Sequence, residues 1–398
     1  MKRKDIATMA GLTASITFVV AAGRQAPPPP LGAPLPGLTP ANRAAFNDGL
    51  AAFQAPEEIL DGLGPVFNGV SCVQCHASGA PGGAATNTTV ARVTRIGGVR
   101  NGKYSDLEEE GGPVIQARSL REFIPNYPIP KEVVSADAKY VSRRMTTPLF
   151  GAGLIEAIPA STILARTHAA IPDGIHGVAN MVVNLDTNQL EVGRFGWKAQ
   201  HAALHDFAAD AYLNEMGITS ALFPTENKPQ GKPIPPEADR VADPEDNDGD
   251  VEKFTAFMRF LAPPPRSKPA NDPAVMRGEQ LFTSIGCANC HVPSMNTGPN
   301  AIAALANKAV PLYSDLLLHH MGAGLADGII QGLATGDQYR TAPLWGLSRR
   351  HFYLHDGRAT TFDAAIGQHS GEASAASSRY FGLKPADRTA FQAFLGSL

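Results

Sequence analysis

All four cysteines of this 398-residue chain fall in two copies of one pattern, Cys72-Val73-Gln74-Cys75-His76 and Cys287-Ala288-Asn289-Cys290-His291. None is left over for a disulfide framework. Two thiols three residues apart, followed at once by an imidazole, can offer both sulfurs to one edge of a flat macrocycle and a nitrogen beneath its centre. A covalently attached haem asks for that arrangement, with one thioether per vinyl group and a proximal ligand on the iron. A redox Cys-x-x-Cys or half of a zinc site would satisfy one such motif. Two motifs that use every cysteine favour two c-type haems.

Attachment of this kind occurs outside the cytoplasm, and the N-terminus reads accordingly. Met1-Lys2-Arg3-Lys4 is basic, Ile6 to Ala22 is mostly apolar, and Ala21-Ala22-Gly23 offers small residues for cleavage. Residues 1–23 are therefore read as a secretory signal, which implies a periplasmic or otherwise exported protein with no stable membrane span. Residues 24–40 are Pro-rich and read as an extended, solvated tether. With 34 basic and 37 acidic residues the formal charge is -3, which gives no electrostatic case for nucleic acid.

Helical periodicity stands out at Val251 to Leu261, Ala274 to Ser284 and Pro385 to Leu395. Alternating patterns are scarce, and Met181 to Leu185 with Leu190 to Phe195 predict one hairpin. The acidic run Asp243 to Asp250 departs from the EF-hand pattern and reads as a solvated loop. The fold class expected is mainly α: two cytochrome c-like haem domains, 41–262 with insertions and 268–398, with long loops and few short strands. The halves read as diverged repeats, each with Phe five residues before its first cysteine, Phe67 and Phe282.

Each haem iron has a sixth position, and a strong ligand there separates an electron-transfer haem from one that binds peroxide or oxygen. For the second haem the candidates are His319, His320, Met321, His351, His355 and His369. For the first, residues 77–167 contain no histidine, leaving His168, His176, His201 and His205.

Thr341-Ala342-Pro343-Leu344-Trp345-Gly346-Leu347 and Tyr353-Leu354-His355-Asp356-Gly357-Arg358-Ala359 resemble a segment shared by bacterial di-haem cytochrome c peroxidases and MauG-like enzymes. Gly193 to Ala199, Asp315 to His319 and Gly371 to Ala373 further resemble the di-haem oxidoreductase family, and the likeness covers nearly all of residues 55–398. In those relatives the distal ligand of the C-terminal haem lies fourteen residues after the histidine of the His-Asp-Gly motif. Counting from His355, that residue here is His369. The resemblance therefore implies a bis-His haem held by His291 and His369. Carried into the first half through Trp197, the same count ends at Ala211, which cannot ligate iron. The resemblance implies an open or gated N-terminal haem on His76, with His176 as the foremost candidate for a gating ligand.

It also implies Trp197 as an electron relay between the haems. Glu215 would be the distal acid–base, with Glu156 as second candidate for that role. Phe207 and Ala211 stand where relatives have Gln and Pro. Some relatives hold calcium between the haems, and Asn180, Thr341 and Pro343 would be its ligands here. The implied function is reduction of hydrogen peroxide, with electrons from a small donor protein of cytochrome c or cupredoxin type. A di-haem electron carrier and a haem-based oxidase or oxygenase of another substrate are the alternatives.

Overall fold

The computed structural model describes residues 28–88 and 92–398. The signal segment and the first residues of the tether lie outside them. Five helices organise the chain: α1 (Pro40–Gln54), α2 (Leu204–Ala211), α3 (Asp250–Phe260), α4 (Pro273–Ser284) and α5 (Pro385–Leu395). The three that periodicity predicts start and stop within a residue of expectation. Their starts are written locally. Thr39 caps α1 by accepting the Asn42 N–H, the Asp272 carboxylate accepts from Ala274 and Val275 at the head of α4, and proline opens α1, α4 and α5.

Two helix pairs form the scaffold: α1 packs on α3, and α4 packs on α5. Each pair meets at a glycine. A Cβ on Gly49 would run into the Lys253 carbonyl and the Phe257 Cβ. One on Gly278 would meet the Ala390 carbonyl and the Phe394 Cβ. In both cases the contacted residues are four apart on the partner helix, one turn of the same ridge. Four residues beyond each glycine stands a buried phenylalanine. Phe53 has its ring 6.1 Å from that of His76, and Phe282 has its ring 6.2 Å from that of His291.

The repeat is therefore real, but its register differs from the sequence reading: the counterpart of Phe282 is Phe53. Between α1 and Cys72 lie residues 55–71, whereas only Ile285 and Gly286 separate α4 from Cys287. Phe67 belongs to that insertion. It pairs in a short two-stranded ribbon with Arg118, whose guanidinium lies 4.6 Å over its ring.

The mainly α expectation understates the strands. Met181–Asn184 and Gln189–Val192 do form the predicted hairpin, with Met181 opposite Val192. A four-stranded antiparallel sheet was not legible: β1 (Arg92–Arg100), β2 (Lys103–Ser105), β3 (Val114–Ile115) and β4 (Tyr140–Met145), with β1 paired to all three others. Arginines at 92, 95 and 100 and the Gly97-Gly98 pair hide the alternation of β1. Val93 sits opposite Arg144, so Val93, Arg95 and Arg144 share one face of the sheet.

The apolar core divides into a larger cluster built on α1 and α3 and a smaller one built on α4 and α5. The division does not follow the chain boundary at 262–268. Met295, Val310, Leu317 and Trp345 pack into the first cluster.

The tether and the acidic run are both more structured than expected. Leu35 is buried and donates its N–H to Phe260 O at 2.7 Å, while Ala262 N–H reaches Ala33 O at 3.0 Å, so this end of the Pro-rich segment seals the C-terminus of α3. In the acidic run, Asp246 caps α3 by accepting from Asp250 and Val251 N–H, and buried Glu245 accepts from Thr219 N–H at 2.9 Å. Among the described residues no helix is long and apolar enough to cross a membrane.

Candidate functional site

Each helix pair holds a cavity, and the two are of similar size, about 170 Å³ beside His76 and about 210 Å³ beside His291. Cys72, Cys75 and His76 line the first; Cys287, Cys290 and His291 line the second. Each histidine has its Nδ1 on a backbone carbonyl, and His76 also meets the Thr147 backbone. His76 Nδ1 lies 3.2 Å from Gly83 O, and His291 Nδ1 lies 2.9 Å from Tyr313 O. Donation by Nδ1–H to a carbonyl leaves Nε2 as a bare acceptor. Burial pushes both imidazoles down to about 4, so both are neutral at physiological pH. All four thiols are unpaired, and burial raises Cys72, Cys75 and Cys287. Free thiols beside an oriented, neutral imidazole in a predominantly apolar cavity form a donor set that fits a covalently held haem.

The walls facing these histidines differ. In the C-terminal cavity a second, half-buried imidazole is present, His369, with Nδ1 2.8 Å from Ala365 O. His355 and Met321 also line this cavity. His319 has both nitrogens engaged, Nε2 with Asp315 at 2.9 Å and Nδ1 with Glu372 at 2.8 Å, and so has no lone pair to offer. Glu372 also accepts the backbone N–H of His176 and His320, which explains why a glutamate stands in that segment.

In the N-terminal cavity His76 is the only lining histidine among the described residues. Facing it are Phe207, Ala208, Ala211, Asp210 and Glu215, with Gln200, Arg95 and Arg144 around them. Glu215 reaches the cavity because α2 runs into a wider π-turn, Tyr212–Met216, which redirects its side chain. Its carboxylate accepts from Asn68 Nδ2 at 3.0 Å. Burial first, then the nearby Asp210, lifts it to about 7, against the Asn68 hydrogen bond and the Arg95 charge. For Asp210, burial is outweighed by His201 and Arg95, which hold it below the usual carboxylate range.

Trp197 lines both cavities. Its indole N–H donates to Met145 O at 2.7 Å, its own carbonyl accepts from Arg340 N–H at 2.8 Å, and its ring meets His355 edge-on at 6.4 Å. His355 in turn stacks on Tyr339 at 4.4 Å. Side-chain and main-chain bonds together fix the indole between the two sites.

Two readings of the sequence are corrected here. Glu156 does not line the N-terminal cavity. It accepts the Leu204 N–H at 2.9 Å and pairs with Arg259 at 2.8 Å, so it caps α2, whose own N-cap residue is Ala203. His176 is exposed, and its neighbour Ile175 lines the C-terminal cavity rather than the N-terminal one. The three proposed calcium ligands already serve protein donors. Asn180 Oδ1 accepts from Leu333 N–H, Thr341 O from the Ser314 hydroxyl and Arg340, and Pro343 O from Arg350.

Gln200, Arg95 and Asp210 were missed. Arg95 lies on the strand whose pattern was hidden. Asp210 lies one residue before Ala211, the position that the count from Trp197 selects.

A family model described as "Di-haem oxidoreductase, putative peroxidase" matches residues 129–398. The chain belongs to the di-haem oxidoreductase family. No curated protein matches this di-haem oxidoreductase. Among solved structures it is similar to hydrazine synthase of Kuenenia stuttgartiensis, at 13% identity over 98% of this chain and 100% of that one, TM-score 0.41. It is similar to a MauG-like protein associated with microbial copper homeostasis, at 13% identity over 96% and 95%, TM-score 0.39. It is also similar to the diheme peroxidase BthA from Burkholderia thailandensis E264, at 14% identity over 89% and 86%, TM-score 0.42.

Proposed function

We propose that this di-haem oxidoreductase is an exported enzyme that reduces hydrogen peroxide in its N-terminal cavity, using electrons delivered through its C-terminal haem. The observation that carries the reading is the asymmetry of the two cavities: His291 is faced by a second imidazole, His369, whereas His76 is faced by the carboxylates of Glu215 and Asp210. An iron with two imidazole ligands is saturated and suits electron transfer, while one with a single imidazole keeps a position for a small ligand. In this reading Cys72 with Cys75, and Cys287 with Cys290, would tether the two haems, and His76 and His291 would hold their irons.

Haem, when bound, supplies the redox-active iron. The chain supplies the rest. Glu215, unprotonated, takes a proton from the near oxygen of peroxide and returns it to the far oxygen as the O–O bond breaks. Two electrons and two protons in all convert one peroxide to two waters. Phe207 and Ala211 leave the wall beside Glu215 largely apolar, which keeps its proton affinity high. Trp197 is held rigidly between the sites by the hydrogen bonds at both its ends, an arrangement that favours short-range electron relay. The electron donor is a small redox protein of cytochrome c or cupredoxin type.

Low-temperature EPR of the oxidised holoprotein tests this. One high-spin and one low-spin ferric signal are expected, with peroxide altering the high-spin signal first. Two low-spin signals that persist on reduction and reoxidation would instead make the protein an electron carrier.

A further inference from the structure

The wall of the N-terminal cavity contains a cation that the scheme above leaves idle. Arg95 projects from β1 into the cavity, on the sheet face it shares with Val93 and Arg144. The two arginines are differently employed. Arg144 is spent on Asp327, which it meets through Nε at 3.0 Å and Nη2 at 2.6 Å, and on Gln331. Arg95 has its Nε buried without a hydrogen-bond partner among the described residues. Its carboxylate neighbours act on it through charge while their hydrogen bonds go to other donors: Asp210 to His201 at 3.3 Å and Asn214 at 3.0 Å, Asp106 to Tyr104 at 3.0 Å, Glu215 to Asn68 at 3.0 Å. A guanidinium presents a planar fork of donors and cannot shed its charge. What sets Arg95 apart from the other arginines with an unpaired Nε is its place in the wall of the cavity beside His76, where an unpaired donor on a fixed positive charge suits an arriving anion.

We propose that Arg95 is the anion-holding residue of the N-terminal cavity, donating to a small anionic ligand taken up opposite His76. This deepens the peroxide reading and rests on it: hydroperoxide, the species left when Glu215 takes the first proton, is a small anion. Arg95 then sets ligand class. The cavity favours small anions such as hydroperoxide, azide and fluoride over neutral diatomics of the same size. The division of labour is spatial. Glu215 stands on the π-turn beyond α2 and Arg95 on the sheet, so one wall handles the proton and the other the charge.

The test is ligand binding to the holoprotein, read by visible absorption and EPR. Fluoride and azide are titrated into the ferric form and carbon monoxide into the ferrous form of wild type, Arg95→Leu and Arg95→Lys, with haem potentials measured alongside. Arg95→Leu is expected to weaken fluoride and azide by about tenfold or more, the loss of a charge-assisted hydrogen bond. Arg95→Lys should recover much of that affinity. Carbon monoxide binding should stay within about twofold throughout, as should the potentials' order, because a neutral ligand makes no use of the charge. Unchanged fluoride and azide affinity in Arg95→Leu overturns the proposal. So does a shifted N-terminal potential without loss of anion affinity, which would put the guanidinium on a haem propionate. Equal loss of all three ligands overturns it as well, since selectivity is the claim. A wild type that binds neither anion overturns the open-site reading itself, a result distinct from any difference between variants.

Discussion

Beside His291 the structure sets a second imidazole, His369, anchored on the Ala365 carbonyl; beside His76, on the same scaffold, it sets Glu215, Asp210 and Arg95. The two halves share the glycine crossing, the phenylalanine one turn later and the carbonyl-anchored histidine. Within the cavities the difference that bears on chemistry is the wall that faces the histidine. The comparison teaches that the helix pair and the attachment motif fix where a macrocycle would sit, while function is written in the segments laid over it. Over His76 these are α2 with its π-turn and the inserted sheet. Over His291 it is the loop and short helix that carry His369.

The sharpest way to break the comparison is to neutralise the feature that the first half has alone. Glu215→Gln is expected to lower kcat/KM for peroxide by roughly 10²–10⁴-fold, the range for losing a positioned acid–base. On the proposed mechanism the active form of wild type is the carboxylate. Since burial lifts this group to about 7, kcat/KM should rise as pH rises through about 7, and the variant should lose that inflection. Steady-state kinetics from pH 5 to 9 measure both.

Removing the feature that the second half has alone should make the halves alike. His369→Ala is expected to convert the low-spin ferric signal to high spin, with the other signal unmoved, in EPR of the oxidised protein. Persistence of the low-spin signal would transfer the ligand role to His355 or Met321, which line the same cavity.

The scaffold itself should respond symmetrically. Gly49→Ala and Gly278→Ala each force a Cβ against a partner-helix carbonyl and should each cost about 1–3 kcal/mol, seen as lowered Tm in calorimetry. A cost at only one site would show that the two crossings are not equivalent.

The smallest effect concerns pH and stability. Glu57, Glu132, Glu215 and Glu245, all in the first half, are raised to about 7, chiefly by burial. A carboxyl whose folded value is raised binds its proton more tightly when folded. Its contribution is complete below about 4.5 and is lost as pH rises through about 7. Hydrogen-exchange protection of α1 and α3 should therefore fall between pH 5 and 8 relative to α4 and α5.

Local signals made much of this legible. Helices α3, α4 and α5 were readable because apolar spacing, with an opening proline in α4 and α5, acts within a few residues. The hairpin at 181–192 was readable from its alternation. The resemblance to relatives directed attention to Trp197, Glu215 and His369, and all three line the cavities. The sheet was not readable, since Gly97, Gly98 and three arginines break the pattern of β1, and Arg95 was missed with it. Glu156 was misassigned because a carboxylate among apolar residues looks alike in sequence whether it faces a ligand or caps a helix forty-eight residues away. Phe67 was aligned by its distance from a cysteine, although the equivalent contact is made by Phe53 across an insertion that spacing cannot reveal.

The sequence by itself determined the chemistry on offer: two Cys-x-x-Cys-His motifs, every thiol committed to them, and helices whose caps and periodicity are local. Only the tertiary structure decided what each histidine faces. That choice depends on separate chain segments, the one carrying His369 for His291 and those carrying Arg95 and Glu215 for His76, brought together by the burial of apolar surface, and neither the partner of a buried charge nor the wall of a cavity is encoded by its neighbours in the chain.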